Sequence, residues 1–239
     1  MYNERQNGIL EMIDLKGSIS LSELEGTFKN VSSITLRRDL ILLENDGHII
    51  RTKGGAISKN KTTSLSKDEP LYSFRELENM KAKRDIAKKA LKYVEKGRSM
   101  FLDSGSTLMC LAKIIKDEPY TILTSGLNIA VELLKKQHLS VVSLGGQINR
   151  NTISASGPSA LQYLENINID IAFMSASGYS EENGFTVSNL YESELKRAVI
   201  KKAKKTIVLM DSSKIDKVLA FTFAKKENID LVITENMEI

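Results

Sequence analysis

From residue 71 onward, helical patterns alternate with short runs of β-branched and apolar residues, and this alternation limits the fold more than any other feature. The runs are Met100-Phe101-Leu102-Asp103, Thr121-Ile122-Leu123-Thr124, Ser140-Val141-Val142-Ser143-Leu144, Ile169-Asp170-Ile171-Ala172-Phe173, Thr206-Ile207-Val208-Leu209-Met210 and Leu231-Val232-Ile233. A long amphipathic stretch over 74–96 precedes them, and helical stretches near 107–116 and 127–136 fall between them. Near-continuous apolar strands separated by helices must be covered on both faces, which calls for a mostly parallel sheet. The predicted class is therefore α/β.

The first 57 residues have a different texture, short helical patterns followed by a glycine-turned hairpin. Residues 58–70 are polar, rich in Ser, Thr and Lys and almost free of apolar side chains, which is linker composition. The expected organisation is a domain over 1–57, a linker over 58–70 and a second domain over 71–239.

Within the first domain, Ser20-Leu21-Ser22-Glu23 has the form of a capping box. Leu21, Leu24 and Phe28 follow at helical spacing, Lys29-Asn30 supplies a turn, and Ser32 caps a second helix. Two short helices joined by a tight turn predict a helix-turn-helix. At about 100° per residue, Leu36, Leu40 and Leu43 form one narrow stripe that must be buried. Ser33, Ile34, Thr35, Arg37 and Arg38 then occupy the exposed N-terminal end, where a recognition helix meets base edges. Arginine pairs bidentately with guanine, and isoleucine packs on a thymine methyl. Asp39 is expected to orient an arginine or cap a neighbour. His48 to Ile57 alternates and is expected to turn at Gly54-Gly55 as a wing, from which Arg51 and Lys53 reach phosphates.

Charge does not make this prediction. The chain carries a net charge of +4, but residues 1–57 hold more acidic than basic side chains. DNA binding by this segment must rest on a few well-placed cations. A small helical dimerisation module would also display the Arg37-Arg38 pair, but it would not combine two caps, a buried stripe and a wing.

In the second domain, Met100 to Thr107 is a strand running into the small, hydroxyl-rich loop Asp103-Ser104-Gly105-Ser106-Thr107, which opens a helix. Free amides at a helix N-terminus, a glycine for close approach and flanking hydroxyls make an anion site. Thr124-Ser125-Gly126 and Leu144-Gly145-Gly146 end the next two strands in a similar way. In an open α/β sheet, ligands bind beyond the carboxyl ends of the strands, so the three loops are expected to converge on a phosphate or sugar phosphate. Gly178 and the run Asn183 to Thr186 precede a helix bearing Glu192, Glu194 and Lys196. Lys196, among Arg197, Lys201 and Lys202, reads as part of a solvated helix face. Lys214, in a loop after a buried strand, is the better phosphate-neutralising cation. Cys110 reads as core.

These motifs together resemble the DeoR family of bacterial regulators. The likeness is carried by Val31-Ser32-x-x-Thr35-Leu36-Arg37-Arg38-Asp39-Leu40-x-x-Leu43-Glu44 and Arg51-x-x-Gly54-Gly55-Ala56. In the second half it is carried by Lys83-x-x-Ile86-Ala87, Asp103 to Thr107, Gly145-Gly146, Glu192-x-Glu194-x-Lys196 and Asp211-Ser212-Ser213-Lys214. Leu36 stands where isoleucine is more typical, Lys53 where histidine is common, and Thr124-Ser125-Gly126 where Thr-Asn-Ser is usual. The last change removes an amide and a hydroxyl from the ligand loops. The resemblance implies a winged helix-turn-helix joined to a domain like ribose-phosphate isomerase and CoA-transferase folds. It further implies a pocket from Asp103, Gly105, Ser106, Thr107, Gly145, Gly146, Lys196 and Lys214, and a phosphorylated sugar as effector.

The leading expectation is a repressor of a carbohydrate-metabolism operon that binds a double-stranded operator as a homodimer or homotetramer. DNA contacts are assigned to Ser32, Ser33, Ile34, Thr35, Arg37, Arg38, Arg51 and Lys53. Effector contacts are assigned to Asp103, Gly105, Ser106, Thr107, Thr124, Ser125, Gly126, Gly145, Gly146, Gly178, Glu192, Lys196 and Lys214. A sugar-phosphate isomerase with an accessory DNA-binding domain is the alternative, with Asp103, Glu192 and Lys214 as acid–base groups. A second domain that only oligomerises is the third reading. One cysteine and two separated histidines exclude an internal disulfide and leave no Cys- or His-rich metal cluster. No catalytic residue, metal or cofactor is assigned. No run approaches membrane-spanning length and the N-terminus lacks an apolar signal region, so no membrane partner and a cytoplasmic location are expected.

Overall fold

A computed structural model describes residues 2–52, 54–58 and 71–238. The chain divides into two compact units, Met1–Ser66 and Lys67–Ile239. Of the linker expected over 58–70, all but Ser58 lies outside the described residues, and Ser58 closes a strand.

The first unit contains α1 (Glu4–Lys16), β1 (Ser18–Ser20), α2 (Leu21–Thr27), α3 (Ser33–Asn45), β2 (Ile49–Thr52) and β3 (Gly55–Ser58). Its helix starts are written in the sequence. Asn3 with Gln6 and Ser20 with Glu23 form reciprocal capping boxes, and Ser32 caps α3 through the Thr35 amide. Ile9, Ile13, Leu24, Leu36, Leu40, Leu43 and Ile49 meet in one core, so the leucine stripe of α3 is buried as expected. The wing is a three-stranded antiparallel sheet in the order β1-β3-β2. Its turn is displaced from the expected Gly54-Gly55, because Thr52 pairs with Gly55 and places that glycine inside β3. Gly55 is needed for close packing instead. A Cβ there would lie 2.0 Å from the Ile19 carbonyl oxygen of β1.

The second unit is built on β4 (Ser99–Leu102), β5 (Thr121–Thr124), β6 (Ser140–Ser143), β9 (Ile169–Ser175), β12 (Ala203–Leu209) and β14 (Leu231–Ile233). These form one six-stranded sheet in the order β14-β12-β9-β4-β5-β6, parallel throughout. Every run that opened the sequence analysis is one of its strands. Alternate residues face opposite layers. Met100, Leu102, Ile122 and Phe173 pack toward α5 (Met80–Ala90), α6 (Ser106–Ile114) and α7 (Leu127–Leu133). Phe101, Leu123, Ala172 and Met174 pack toward α8 (Pro158–Leu164) and α9 (Leu190–Lys202).

The stretch expected as one amphipathic run over 74–96 is broken. α4 (Tyr72–Leu77) ends before Glu78, Asn79 adopts the left-handed conformation at φ 51°, and α5 begins at Met80. Lys83, buried in the first turn of α5, donates to the carbonyls of Glu78 (2.6 Å) and Arg75, which a continuous helix would have used itself. In this unit five short strands escaped the sequence reading: β7 (Gln147–Asn149), β8 (Ser154–Ser156), β10 (Gly178–Ser180), β11 (Gly184–Val187) and β13 (Phe221–Ala224). They form a two-stranded ribbon, β7-β8, and an antiparallel sheet, β10-β11-β13. Pieces of three or four residues carry too little periodicity to register.

Candidate functional site

On α3, Ser32, Ser33, Ile34, Arg37 and Arg38 are exposed and Thr35 is half-buried. Ile34 is 66% exposed, a large apolar side chain presented to solvent beside two arginines. Among the described residues neither Arg37 nor Arg38 forms an ion pair, which leaves both guanidinium groups free for an external partner. The other side of the helix is fixed. Asp39 is buried and accepts from Arg5 Nε at 2.6 Å and Gln6 Nε2 at 2.8 Å, so the arginine it orients belongs to α1. Ser33 Oγ donates to Glu25 at 2.5 Å, which fixes the first turn of α3 against α2.

The wing cation is engaged. Arg51 Nε donates to Glu44 Oε2 at 2.6 Å and the Arg51 amide donates to Oε1 at 2.9 Å. Burial opposes ionisation of Glu44, but these hydrogen bonds outweigh it and hold the carboxyl below its ordinary range. A phosphate must therefore compete with Glu44 for Arg51. Lys53 lies outside the described residues. Arg5, Gln6 and Glu25 were not read as part of this site, since nothing local in the sequence marks a support contributed by another helix.

In the second unit, a parallel sheet brings the carboxyl ends of all six strands to one edge. Asp103 to Thr107, Thr124 to Gly126, Gly145-Gly146 and Lys214 all follow strands of this sheet and gather there. The chain builds outward from β4 through β5 and β6 in one direction, and from β9 through β12 and β14 in the other. The β4/β9 boundary is thus the topological switch point, the place where open α/β sheets bind their ligands.

Asp103 and Ser175 stand at that boundary. Asp103 Oδ2 accepts from the Ser175 amide (2.9 Å), from Ser175 Oγ (2.8 Å) and from Lys196 Nζ. Its Oδ1 accepts from the Ser104 amide at 2.9 Å and from Ser125 Oγ at 3.4 Å. Lys196 also donates to the Ser175 carbonyl at 3.1 Å, lies 3.4 Å from Glu192 one turn earlier, and sits over the Phe223 ring. The expectation of a solvated Lys196 is overturned, since the side chain is 1% exposed and held between two carboxylates. The signal was available: Glu192, Lys196 and Val199 recur at helical spacing on the stripe that α9 buries. Ser175 was missed because it ends a strand read only as an apolar run.

The carboxylate of Asp103 is filled by internal donors, so it acts as a scaffold for the loops at this boundary. Gly105, at φ 128°, is the N-cap of α6, and no side chain caps that helix. The loop is packed tightly, with Ser106 and Thr107 both buried. Thr124 Oγ1 accepts from the Gly126 amide at 3.0 Å, and the Ser125 carbonyl accepts from Ala155, so this loop is stitched mainly to itself and to β8.

The remaining residues do not converge. β12 and β6 are four strand spacings apart, roughly 19 Å at ~4.8 Å per step, so Lys214 and Gly145-Gly146 cannot both touch one small ligand. Lys214 follows Asp211 in a single helical turn, and Asp211 accepts from Asn79 Nδ2 at 2.9 Å. Gly146 and Gly178 answer to packing: a Cβ would lie 2.3 Å from the Ser156 carbonyl oxygen at the first and 2.4 Å from that of Lys217 at the second. Cys110 is buried, as expected. Among the described residues, no helix is long and apolar enough to cross a membrane.

Comparison with known proteins follows the same division. Residues 5–62 match the DeoR-like helix-turn-helix domain and residues 78–236 match the DeoR C terminal sensor domain. The chain is 36% identical over 236 residues to the HTH-type transcriptional regulator GolR of Listeria innocua, covering 98% of this chain and 90% of that protein. It is 30% identical over 234 residues to a putative aga operon transcriptional repressor of Escherichia coli O157:H7, covering 98% and 86%. Ribose 5-phosphate isomerase A of Methanocaldococcus jannaschii superposes with a TM-score of 0.43, at 19% identity over 57% of this chain and 55% of that one. The two sequence relatives are named as transcriptional regulators, and the enzyme alternative is set aside on that ground. The chain belongs to the DeoR family of DNA-binding transcriptional regulators.

Proposed function

We propose that this regulator represses a carbohydrate-metabolism operon and releases its double-stranded operator when a phosphorylated sugar binds the sensor unit. Residues 1–57 grip DNA, residues 71–239 sense the effector and hold the chains together as a homodimer or homotetramer, and 58–70 link the two. Its place of work is the cytoplasm, where operator and sugar phosphate meet. The observation that carries the reading is the free face of α3, with Ile34, Arg37 and Arg38 exposed directly across from a buried leucine stripe. The name of one relative, a putative aga operon transcriptional repressor, favours repression.

For the effector, the support is the switch point between β4 and β9 and the loop that follows β4. The uncapped amides of α6 and the hydroxyls of Ser106 and Thr107 suit a phosphate. Lys196 does not supply the counter-charge, being already spent on Asp103 and Glu192. Those three groups position the loop. A sugar phosphate relieves repression only to the extent that it binds the DNA-incompetent arrangement more tightly.

Fluorescence anisotropy on a DNA fragment from upstream of the regulator's own operon tests both parts. The expected result is tight binding to that fragment, weakened at least tenfold by one of a panel of hexose, pentose and triose phosphates. Thr107→Ala should keep DNA binding and lose the response. If no phosphosugar changes operator affinity at saturation, the effector assignment is wrong.

A further inference from the structure

The six-stranded sheet has two edges, β6 and β14, and the chain treats them differently. β14 is three residues long and is closed by the residues that follow it. Glu238 pairs antiparallel with Ile233, and the Thr234 amide donates to the Met237 carbonyl at 2.8 Å. A short strand covered by its own returning chain is a blunted edge. β6 pairs with β5, and among the described residues no strand lies on its other side.

The free side of β6 carries defined main-chain groups. Ser140 and Leu144 donate their amides inward to the carbonyls of Tyr120 and Thr124, each at 2.9 Å. Direction alternates along a strand, so Val141 and Ser143 turn their N–H and C=O groups outward. Among the described residues neither of those amides has an acceptor. The usual protections of an edge are missing here. From Gln137 to Asn149 the sequence holds no Lys, Arg, Asp, Glu or Pro, and the pairing of β5 with β6 runs without a bulge. An open, regular and uncharged edge is a template for another strand.

α7 extends the bare surface. It packs on β5 and β6, with Ile129 and Leu133 buried in the core. Asn128 and Glu132 lie on its α6 side, where they share a cleft with Met109 and Lys113. At about 100° per residue, Val131 and Leu134 fall on the opposite flank, which looks out past β6. They are 64% and 68% exposed, a pair of large apolar side chains beside a row of unpaired main-chain groups.

We propose that β6 and this flank of α7 form the interface between two copies of the chain, related by a two-fold axis that passes through Val142 perpendicular to the sheet. A strand laid antiparallel to its own copy is self-complementary. With the axis at Val142, Val141 of each copy lies opposite Ser143 of the other, and each such pair exchanges both of its main-chain hydrogen bonds. The two sheets become one, both α7 helices stay on the same face, and Val131 and Leu134 meet their counterparts. The uncharged edge lets identical strands approach without like-charge repulsion. A second copy is the occupant because one rotation satisfies the main-chain groups and the apolar pair together. The inference rests on the oligomeric part of the function proposed above and names its surface.

Light scattering of the full chain after size exclusion, over a dilution series, tests it. The wild type should run as a dimer or tetramer. Leu134→Lys and Ser143→Pro should each weaken association at least about tenfold and halve the mass at low concentration. The Ser143 amide points away from β5, so proline there spares the ladder within the chain. Leu134 is a surface residue, so its variant folds whatever becomes of the proline one. Val218→Lys, which removes another exposed apolar side chain of the sensor unit, should leave the mass unchanged. Hydrogen exchange resolved to the Val141 and Ser143 amides should show protection in the wild type and its loss in Leu134→Lys. A wild type that is monomeric throughout overturns the oligomeric reading and this inference together. An oligomer whose mass survives both substitutions, or edge amides still protected in a dissociated variant, overturns the inference alone.

Discussion

Arg5 and Asp39, 34 residues apart in sequence, meet at 2.6 Å between α1 and the buried side of α3. The helix that carries the exposed arginines is thereby anchored by a carboxylate pointing away from them. Asp39→Ala should lower the melting temperature by several degrees and reduce DNA affinity with it, because Gln6 and Arg5 both lose an acceptor. Thermal denaturation followed by circular dichroism, beside anisotropy on the operator, separates this from direct readout. An affinity loss without a stability loss would contradict the anchoring role.

Arg37→Ala and Arg38→Ala should behave in the reverse way. Neither side chain supports the fold, so stability should be unchanged while operator affinity falls about ten- to a hundredfold, the usual range for a base-reading arginine. Arg38, opposite the leucine stripe, is expected to read bases, and its loss should relax sequence preference at one position. Footprints that survive both changes would mean another element reads the DNA.

The ion pair of Lys196 with Asp103 predicts strong non-additivity. Both side chains are almost wholly buried, at 1% and 2% exposure, so Lys196→Met strands a carboxylate and should cost about 3–5 kcal/mol in urea denaturation. Combining it with Asp103→Leu should recover part of that loss, since it removes one of the two buried carboxylates that face Lys196, Glu192 being the other. Equal, additive losses would show that the two residues act separately.

Lys83 predicts a pH dependence. Burial lowers its ammonium to about 8 from an ordinary 10.5, so between those values the unfolded chain binds the proton more readily than the folded one. Stability contributed by this site therefore rises as pH climbs from about 8 toward 10.5, and below 8 the folded state bears the cost of a buried charge. Urea denaturation of the full chain at pH 7.5 and pH 10, compared with Lys83→Met, should show the wild type gaining relative to the variant. The absence of that relative gain would show that Lys83 is not desolvated.

The sheet was legible because parallel strands buried on both faces leave nearly unbroken apolar runs, and each run became a strand. The helix-turn-helix was legible because caps and a leucine stripe are local signals. What stayed hidden depends on contacts between distant segments. Gly55 reads as a turn residue, yet it is fixed by the Ile19 carbonyl in another strand. Ser175 has no motif of its own and matters because Asp103 and Lys196 close around it. Arg51 looks free in a hairpin, and only α3 supplies the Glu44 that engages it.

The break at Asn79 has a consequence for how the sensor unit comes apart. Tyr72 and Phe74 are buried, but they join neither of the two cores that sandwich the sheet. α4 is held by the Tyr72 amide on the Asn151 carbonyl at 2.7 Å and by the Lys83 ammonium on its last carbonyls. Its opening energy is thus set by a handful of bonds and two rings, far below that of the sheet. In hydrogen exchange α4 should behave as its own cooperative unit, and it is the first described element of the sensor unit. A clutch of this kind lets go without the engine being dismantled.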